Sequence, residues 1–221
     1  MQFKDIVNGK AWQYHSSNFG KWKFPAAYNA FTADYIVCTD GSLYSLLSYQ
    51  KNHSSDLDLQ TVKPDVIVGD GDSLPKELKE KYQSIYIEYA EQDYNDLTKA
   101  TLYCIEKGFS KIIYLGIGGK RDDHAIANFS LLMWYKKRFN LDIEAYTDFG
   151  KFIPCCGDHS FTTKKGKQIS IFNFGAQNLS STNLKWNIYD FNELWQGTLN
   201  ESLTDSFSIK ASGHYMIYIN Y

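Results

Sequence analysis

Residues 65–73 read DVIVGDGDS, and this stretch decides how the first half of the chain is interpreted. The run DVIVG has the length and the β-branched content of a short buried strand. It leads without a linker into Asp70, Gly71 and Asp72. A cap or a turn needs one carboxylate and not two flanking a glycine. The segment therefore predicts a strand that is followed directly by two carboxylates of a functional site.

Around this stretch, the first half of the chain alternates short apolar runs with helix-period segments, which is the pattern of an α/β domain. Strands are predicted at 35–39, 65–69, 85–89, 112–115 and 143–146, and IVNG at 6–9 is a further candidate. Their nearly continuous apolar character favours a mostly parallel sheet covered on both faces. Helices are predicted at 96–107, with one apolar stripe, and at 123–137, which ends in cations.

The second half has a different character. Short alternating or aromatic segments, separated by Gly, Asn, Ser and Asp, indicate an antiparallel sandwich or barrel. They are HSFTT (159–163), QISIF (168–172), LKWNIY (184–189), FSIKA (207–211) and HYMIYI (214–219). We therefore predict an N-terminal mostly parallel α/β/α domain at 1–147. A C-terminal antiparallel β-sandwich domain is predicted at 148–221.

Composition excludes several classes of protein. The 221 residues carry a net charge of −2, which gives no electrostatic reason to expect nucleic acid or an anionic membrane as partner. No apolar run approaches the roughly 18 residues of a membrane span, and the N-terminus lacks a signal-peptide core. The four cysteines show no CxxC spacing and the five histidines no zinc motif. Reduced thiols and a cytoplasmic location are expected.

Acidic or glycine-rich residues follow the predicted strands at four places. They are Asp40, the pair Asp70 and Asp72, the pair Asp93 and Asp96 at a helix start, and the segment GGKRDDH at 118–124. Because the strands of an open parallel sheet end on one edge, these loops should converge there. Clustered carboxylates repel one another, and a hard divalent cation such as Mg²⁺ relieves that repulsion.

Cations beside these carboxylates indicate a polyphosphate ligand. Lys120 and Arg121 lie next to glycines whose backbone N–H groups can face phosphate oxygens. Metal ligands, cations and a glycine-rich loop are together typical of phosphoryl transfer. The segment GIGGKR at 116–121 matches neither a Walker A motif nor the glycine loop of protein kinases, so the common kinase folds are disfavoured.

With these residues in view, the chain resembles the thiamine pyrophosphokinase family. The family pattern is a DGG-type turn, a GDFDS loop, a DxxTDxTKA segment, a GGRFDH loop and a late LKW. The chain has, in the same order, DGS at 40–42, GDGDS at 69–73, DYNDLTKA at 93–100, GKRDDH at 119–124 and LKW at 184–186. Each motif alone is weak, but five in the right order are specific.

The resemblance implies transfer of the terminal pyrophosphate of ATP to the hydroxyl of thiamine, with Mg²⁺ as cofactor and AMP as the second product. It also implies a homodimer with active sites at the subunit interface, between the α/β domain of one subunit and the β-domain of the other. The implied Mg²⁺ ligands are Asp70, Asp72 and Asp96, which with Arg121 form the catalytic set. The implied ATP-site residues are Asp40, Ser73, Thr98, Lys99, Arg121, Asp123 and His124. The implied thiamine contacts are Gln92, Trp186 and Asn200.

The chain departs from the family pattern at four positions. Gly71 replaces the aromatic residue of GDFDS, Asn95 stands where Thr is common, and Lys120 replaces a glycine. Leu199 replaces a serine before Asn200, so a hydroxyl is lost in a substrate-contacting turn. The last change concerns thiamine recognition and leaves the phosphate chemistry untouched.

Simpler interpretations exist for single residues. Asp40, Asp70 and Asp93 could each be turn or cap residues, Arg121 a surface cation and His124 an exposed helix residue. Trp186, read as part of a strand, could belong to the sandwich core. For the whole chain, the rival functions are a metal-dependent phosphohydrolase or ordinary kinase, and a non-catalytic nucleotide or thiamine sensor.

Overall fold

The computed structural model describes residues 8–12, 33–52, 54–55, 60–72, 74–89, 93–118 and 121–221, and of residues 8–12 the backbone alone. The chain divides into two compact units, Met1–Phe129 and Ser130–Tyr221. The predicted domain boundary after residue 147 stays a prediction.

Parallel strands form the described sheet of the first unit. They are β1 (Asn8–Trp12), β2 (Tyr35–Thr39), β3 (Val66–Gly69), β4 (Tyr86–Glu88) and β5 (Lys111–Leu115). They lie in the order β5-β1-β2-β3-β4, and neighbouring strands run parallel. The strands predicted at 35–39, 65–69, 85–89 and 112–115 are confirmed. The candidate at 6–9 lies partly outside the described residues, and the observed strand begins at Asn8.

Helices follow several of these strands. They are α1 (Asp40–Asn52), α2 (Lys76–Lys81), α3 (Asp96–Glu106) and α4 (Asp122–Phe139). The helices predicted at 96–107 and 123–137 are confirmed as α3 and α4. None of the helices in the described part of the chain has the length and apolarity needed to cross a bilayer.

Two of the helices, α1 and α2, were not predicted from the sequence. α1 begins at Asp40, a residue that also suits a turn, and it buries Leu43 and Leu46. α2 reads KELKEK and buries none of its residues, so it lacks the apolar periodicity that identifies a helix. Pro75, which directly precedes α2, was the available signal, because proline is favoured at helix starts.

Two antiparallel sheets make up the second unit. The first contains β6 (Asp142–Tyr146), β7 (Gly150–Cys156), β9 (Gln168–Asn173), β11 (Asn200–Glu201) and β13 (His214–Asn220), in the order β11-β9-β13-β7-β6. The second contains β8 (His159–Thr162), β10 (Gln177–Thr182) and β12 (Ser206–Ser212), in the order β10-β12-β8. The predicted fold class, α/β followed by antiparallel β, is confirmed, and so is the predicted strand at 143–146.

Both sheets of the second unit contribute to one hydrophobic core. The first sheet supplies Ile169, Ile171 and Ile217, and the second supplies Phe207 and Ile209, all of them buried. Side chains of a strand alternate between its two faces, so each sheet presents one apolar face to the shared core. This arrangement is a sandwich.

The strand predicted at 184–189 is wrong. Leu184 forms a single antiparallel bridge with Ser202, and residues 185–189 form no strand. Asn183, directly before, adopts a positive φ of 63°, which turns the backbone out of an extended path. The aromatic and β-branched content of LKWNIY was therefore misleading, and Trp186 does not lie in a strand.

The sandwich core gives a stability prediction. Phe207 is 1% exposed and its ring stacks on Phe161 at a centroid distance of 4.9 Å. Phe207→Ala should lower the free energy of unfolding by about 3–5 kcal/mol, because a large cavity replaces the ring. Phe149→Ala is the control: its side chain is 73% exposed, so the change should stay within about 0.5 kcal/mol. Urea unfolding of both variants tests this, and equal effects would contradict it.

Candidate active site

Asp40 lies at the end of β2 and begins α1, where it is completely buried. Its Oδ2 accepts hydrogen bonds from the backbone N–H of Gly71 at 2.6 Å and from the hydroxyl of Tyr86 at 3.3 Å. Its Oδ1 is buried and has no hydrogen-bond partner among the described residues. Burial raises the pKa of Asp40, and the two hydrogen bonds oppose that rise.

Gly69, the last residue of β3, allows Asp40 to occupy this position. A Cβ on Gly69 would lie 2.3 Å from the Asp40 Cγ, well inside van der Waals contact. The glycine at the start of the GDGDS segment therefore provides space for a buried carboxylate. This contact joins the end of β2 to the end of β3.

Asp70 and Asp72 follow β3 in a tight turn. The backbone N–H of Asp72 donates to the Asp70 Oδ1 at 3.1 Å. Gly71, between them, has a φ of +86°, a conformation that other residues seldom adopt. Ser73, the next predicted site residue, lies outside the described residues, as do Gln92 and Lys120.

Lys99 is a buried cation between two of these carboxylates. Its side chain is 2% exposed on α3, and its Nζ lies 3.9 Å from the Asp70 Oδ2 and 3.9 Å from the Asp96 Oδ1. A buried ammonium group needs partners of opposite charge, and these two carboxylates supply them. Lys99, predicted as an ATP-site residue, is therefore held among the predicted metal ligands.

The charge balance around Asp96 is negative. Burial raises the pKa of Asp96 to about 6, and the charges of Asp40, Asp70 and Asp72 add to the rise, whereas Lys99 lowers it. These four aspartates come from three places in the sequence, and the structure brings them close enough for their charges to act on one another. The excess of carboxylate over ammonium makes the cluster receptive to a cation.

Thr98 has a local role at the start of α3. Asn95 is the N-cap, and its Oδ1 accepts from the backbone N–H of Thr98 at 3.0 Å and from the Thr98 hydroxyl at 2.8 Å. Asn is among the favoured N-cap residues, so it performs the capping role where the family pattern has Thr. Thr98 was predicted as an ATP-site residue, and its side chain is 98% buried behind this cap.

Arg121 and Asp123 bind each other at the start of α4. The Arg121 Nε and Nη2 lie 3.1 and 2.6 Å from the two carboxylate oxygens of Asp123, in a bidentate ion pair. Hydrogen bonding to Arg121 lowers the pKa of Asp123 to about 2. Both side chains are exposed, and His124 is exposed beside them. Among the described residues, Arg121 pairs with Asp123 and not with an aspartate of the cluster.

The predicted thiamine contacts Trp186 and Asn200 meet in the second unit. The Asn200 Oδ1 accepts from the backbone N–H of Trp186 at 3.2 Å, and its Nδ2 donates to the Trp186 carbonyl at 2.8 Å. The amide of Asn200 therefore fixes the backbone of Trp186. The Trp186 ring is 52% exposed, and the Lys185 Nζ lies 4.7 Å from its centroid. Trp186 is thus not a core residue.

Two residues near the cluster escaped the sequence analysis, namely Tyr86 and Lys79. Tyr86 donates to Asp40, and Lys79 has its Nζ 5.2 Å from the centroid of the Tyr86 ring. The sequence offered only an aromatic residue in a predicted strand and a lysine in a polar segment. Neither pattern is specific enough to indicate a role at a site.

The raised pKa of Asp96 gives a pH prediction. Its value of about 6 lies above the ordinary value of 3.8, so the folded protein binds an extra proton between about pH 4 and pH 6. The stability contributed by this group should therefore be present below pH 4 and be lost as the pH rises to 6. In metal-free protein, Asp96→Asn should remove this loss and be more stable than the wild type at pH 7. Thermal unfolding from pH 4 to 7 measures the difference, and a wild-type slope that survives in Asp96→Asn would contradict the assignment.

Family models match both halves of the chain. The model described as thiamin pyrophosphokinase, catalytic domain, matches residues 28–145 and covers more than half of the chain. The model described as thiamin pyrophosphokinase, substrate-binding domain, matches residues 150–218. The two matches follow each other along the sequence.

Individual relatives are more distant. The curated Thiamine pyrophosphokinase 2 of Oryza sativa subsp. japonica is 25% identical in an alignment 173 residues long, and the match covers 69% of this chain and 64% of the relative. The chain thus spans somewhat less than two thirds of that protein's length.

Solved structures share the fold. Thiamine pyrophosphokinase from Bacillus subtilis has a TM-score of 0.75 at 17% identity, covering 96% of this chain and 98% of that one. Thiamin pyrophosphokinase from Candida albicans has a TM-score of 0.77 at 18% identity, covering 97% and 89%. At this identity the likeness establishes the fold alone. Because the two family models account for nearly the whole chain from residue 28 onward, the chain belongs to the thiamin pyrophosphokinase family.

Proposed function

We propose that this protein is a thiamine pyrophosphokinase, a Mg²⁺-dependent transferase that moves pyrophosphate from ATP to the hydroxyl of thiamine. The products are thiamine diphosphate and AMP. The observation that carries the proposal is the cluster of Asp40, Asp70, Asp72 and Asp96, two of which pair with the buried Lys99, in a chain of this family. Fixed charges at a sheet edge are what phosphoryl transfer needs, since its catalysis is mainly positioning and charge neutralisation.

The donor set fits Mg²⁺ in its chemistry. Among the described residues, no three His, Cys, Asp or Glu side chains are grouped as a complete metal site. Mg²⁺ in phosphoryl-transfer sites uses one or two carboxylates, and waters and substrate phosphates supply the rest, so a complete protein cage is not required. The partnerless Oδ1 of Asp40 and the raised pKa of Asp96 both favour a bound cation nearby. Asp70, Asp72 and Asp96 are the residues that would hold it.

When bound, Mg²⁺ would neutralise phosphate charge and orient the polyphosphate. Lys99 pairs with Asp70 and Asp96, two of the carboxylates that would hold the ion, and keeps them in place. Arg121 can offer its guanidinium to a phosphate by exchanging the Asp123 carboxylate for it, because both groups suit the same bidentate geometry. Asp123 and His124 belong to the same proposed ATP-binding end of the site, with Asp40, Ser73 and Thr98.

The reaction makes one P–O bond and breaks another. The oxygen of the thiamine hydroxyl attacks the β-phosphorus in line, and the bond from that phosphorus to the oxygen shared with the α-phosphate breaks. AMP leaves with that oxygen. A carboxylate near the hydroxyl, Asp72 or Asp96, accepts the hydroxyl proton.

Thiamine would bind through the second unit. The half-exposed ring of Trp186 can offer a flat face to the cationic heterocycle of thiamine. Asn200 would act chiefly by fixing the Trp186 backbone. Leu199, with a φ of +62° and a side chain 65% exposed, stands at the turn where a hydroxyl is lost. Gln92 stays a predicted thiamine contact.

A homodimer is also part of the proposal. Large apolar side chains are exposed at several points between residues 186 and 203, an unusual density for a surface that faces only water. They are Trp186, Tyr189, Leu194, Trp195, Leu199 and Leu203. Burial against a second copy would remove this surface from water and complete each active site with residues of both subunits.

A cytoplasmic location accords with the cysteines. Cys38, Cys104, Cys155 and Cys156 are all free thiols. Disulfides are rare in a reducing compartment, so free thiols are the expected state there.

The product of ATP cleavage tests the reaction type. With ATP, Mg²⁺ and thiamine, we expect AMP and thiamine diphosphate, and ADP would overturn the pyrophosphoryl assignment. Asp72→Asn should lower kcat by at least about 100-fold, the scale of losing one electrostatic stabiliser. Asp34→Asn, at an exposed position before β2, is the control and should leave kcat unchanged. ATP cleavage without thiamine would indicate a phosphohydrolase. A wild-type protein without activity, whose affinity for ATP or thiamine is unchanged by Asp72→Asn, would indicate a sensor.

Trp186→Ala tests the thiamine site and its sharing between subunits. The KM for thiamine should rise about tenfold, equivalent to roughly 1.4 kcal/mol of ring contact, with the KM for ATP little changed. Asp72→Asn and Trp186→Ala subunits can then be co-expressed with different tags and purified through both. With thiamine well below its KM, where Trp186→Ala alone is also slow, a dimer with shared sites restores one intact site of two, hence about half of the wild-type activity. Activity at the mean of the two variants would place each site within one subunit.

A further inference from the structure

The segment Gly69–Asp72 carries two proposed metal ligands, and its conformation depends on Gly71. Gly71 has a positive φ, and its backbone N–H donates to the Asp40 Oδ2 at 2.6 Å. This hydrogen bond joins the segment to a fully buried carboxylate. What keeps Gly71 in this conformation therefore also keeps Asp70 and Asp72 in place.

Two side chains from other elements occupy the space beside Gly71. A Cβ at position 71 would lie 2.4 Å from the Nζ of Lys79 and 3.3 Å from its Cε. It would also lie 3.2 Å from the hydroxyl oxygen of Tyr86. The place that a larger residue at position 71 would need is thus taken by Lys79 from α2 and Tyr86 from β4.

Both side chains are fixed by further contacts. The Lys79 Nζ lies 3.4 Å from the Glu88 Oε2 and 5.2 Å from the centroid of the Tyr86 ring. The Tyr86 hydroxyl donates to the Asp40 Oδ2 at 3.3 Å. A continuous series of contacts therefore runs from Glu88 through Lys79 and Tyr86 to Asp40, and it encloses Gly71.

The ion pair between Lys79 and Glu88 would not by itself indicate a role for Lys79, because exposed ion pairs contribute little to stability. Lys79 differs from the other lysines of α2 in this respect. Lys76 has a side chain 90% exposed and pairs only weakly with Glu80 at 4.0 Å. Lys81 lies over the ring of Tyr82 at 5.3 Å, a geometry like that of Lys79 over Tyr86, but at an exposed position. Lys79 is 38% exposed and packs against the segment that carries the acidic residues.

We propose that Lys79 and Tyr86 are positioning residues, which hold the segment Gly69–Asp72 against Asp40 by filling the space beside Gly71. The catalytic consequence rests on the proposed function, whereas the structural role does not. Neither residue touches the reacting atoms. They act through the Gly71–Asp40 hydrogen bond, and a glycine at position 71 and a long cation at position 79 depend on each other.

Amide hydrogen exchange of the metal-free protein tests the role directly. Tyr86→Phe removes the hydroxyl, and Lys79→Met removes the charge but keeps most of the stem. Each should raise the exchange rate of the Gly71 amide about tenfold, while the amides of α3 keep their rates, because only local opening changes. Lys79→Arg should retain most of the protection. Lys81→Met is the matched control and should leave Gly71 unchanged.

Unchanged exchange at Gly71 in both Tyr86→Phe and Lys79→Met would overturn the proposal. So would an equal rise across α3, which signals general destabilisation. Gly71→Ala should also raise exchange at position 71, and adding Lys79→Met to it should have less effect than Lys79→Met alone, because both act on one contact. Additive effects would show that Lys79 does not act on the segment.

Kinetics then separate this proposal from the proposed function. Lys79→Met should lower kcat about tenfold and leave the KM for thiamine unchanged, since a displaced carboxylate affects phosphate positioning and not the acceptor. The exchange measurements need no substrate. A wild type without pyrophosphokinase activity would contradict the proposed function. The exchange rates would still show whether Lys79 and Tyr86 hold the segment in place.

Discussion

The burial of Lys99 is the constraint on which the candidate site depends. An ammonium group that is 2% exposed must be compensated by carboxylates, and Asp70 and Asp96 lie at 3.9 Å on either side. One of these follows β3 and the other begins α3, so the ion pairs join two elements that are distant in sequence. The compensation is not symmetric, because the charges of Asp40, Asp70 and Asp72 all act on Asp96, and Lys99 supplies a single positive charge. Burial, with the charges of the neighbouring aspartates added to it, raises the pKa of Asp96 to about 6, and the folded chain holds these carboxylates together against their repulsion.

Much of the first unit could be predicted from its sequence. Short apolar runs and the residues directly after them gave the strands β2 to β5 and the convergence of acidic residues, because parallel strands end on a common edge. The paired contacts that shape the site could not be predicted in this way. That Gly69 leaves space for Asp40, or that Tyr86 donates to it, depends on neighbouring strands. The pairing of Arg121 with Asp123 was equally hidden, since two residues of opposite charge near each other in sequence have many possible partners.

The second unit shows why composition alone is a weak guide to strands. LKWNIY has the residues of a strand, yet the Asn200 amide binds the Trp186 backbone in place of a ladder. The side chain of Asn200, fourteen residues away, thus supplies the hydrogen bonds that the backbone of a strand would form with a neighbouring strand. The residue pattern around Trp186 does not reveal this contact. By contrast, β10 reads QNLSST and was missed because its polar content suggests a loop. Its Leu179 alone reaches the core.

The buried cysteines give the two units separate internal reporters. Cys38 and Cys104 lie in the first unit and Cys155 in the second, and burial raises the pKa of each thiol to about 12. Such thiols react with an alkylating reagent only when their surroundings open, because the thiolate is the reactive form. Cys156, the next residue along β7, is exposed and needs no opening. The alkylation rates of the individual buried cysteines would therefore measure how often each unit opens. The rate of the exposed Cys156 in the same chain would serve as the reference.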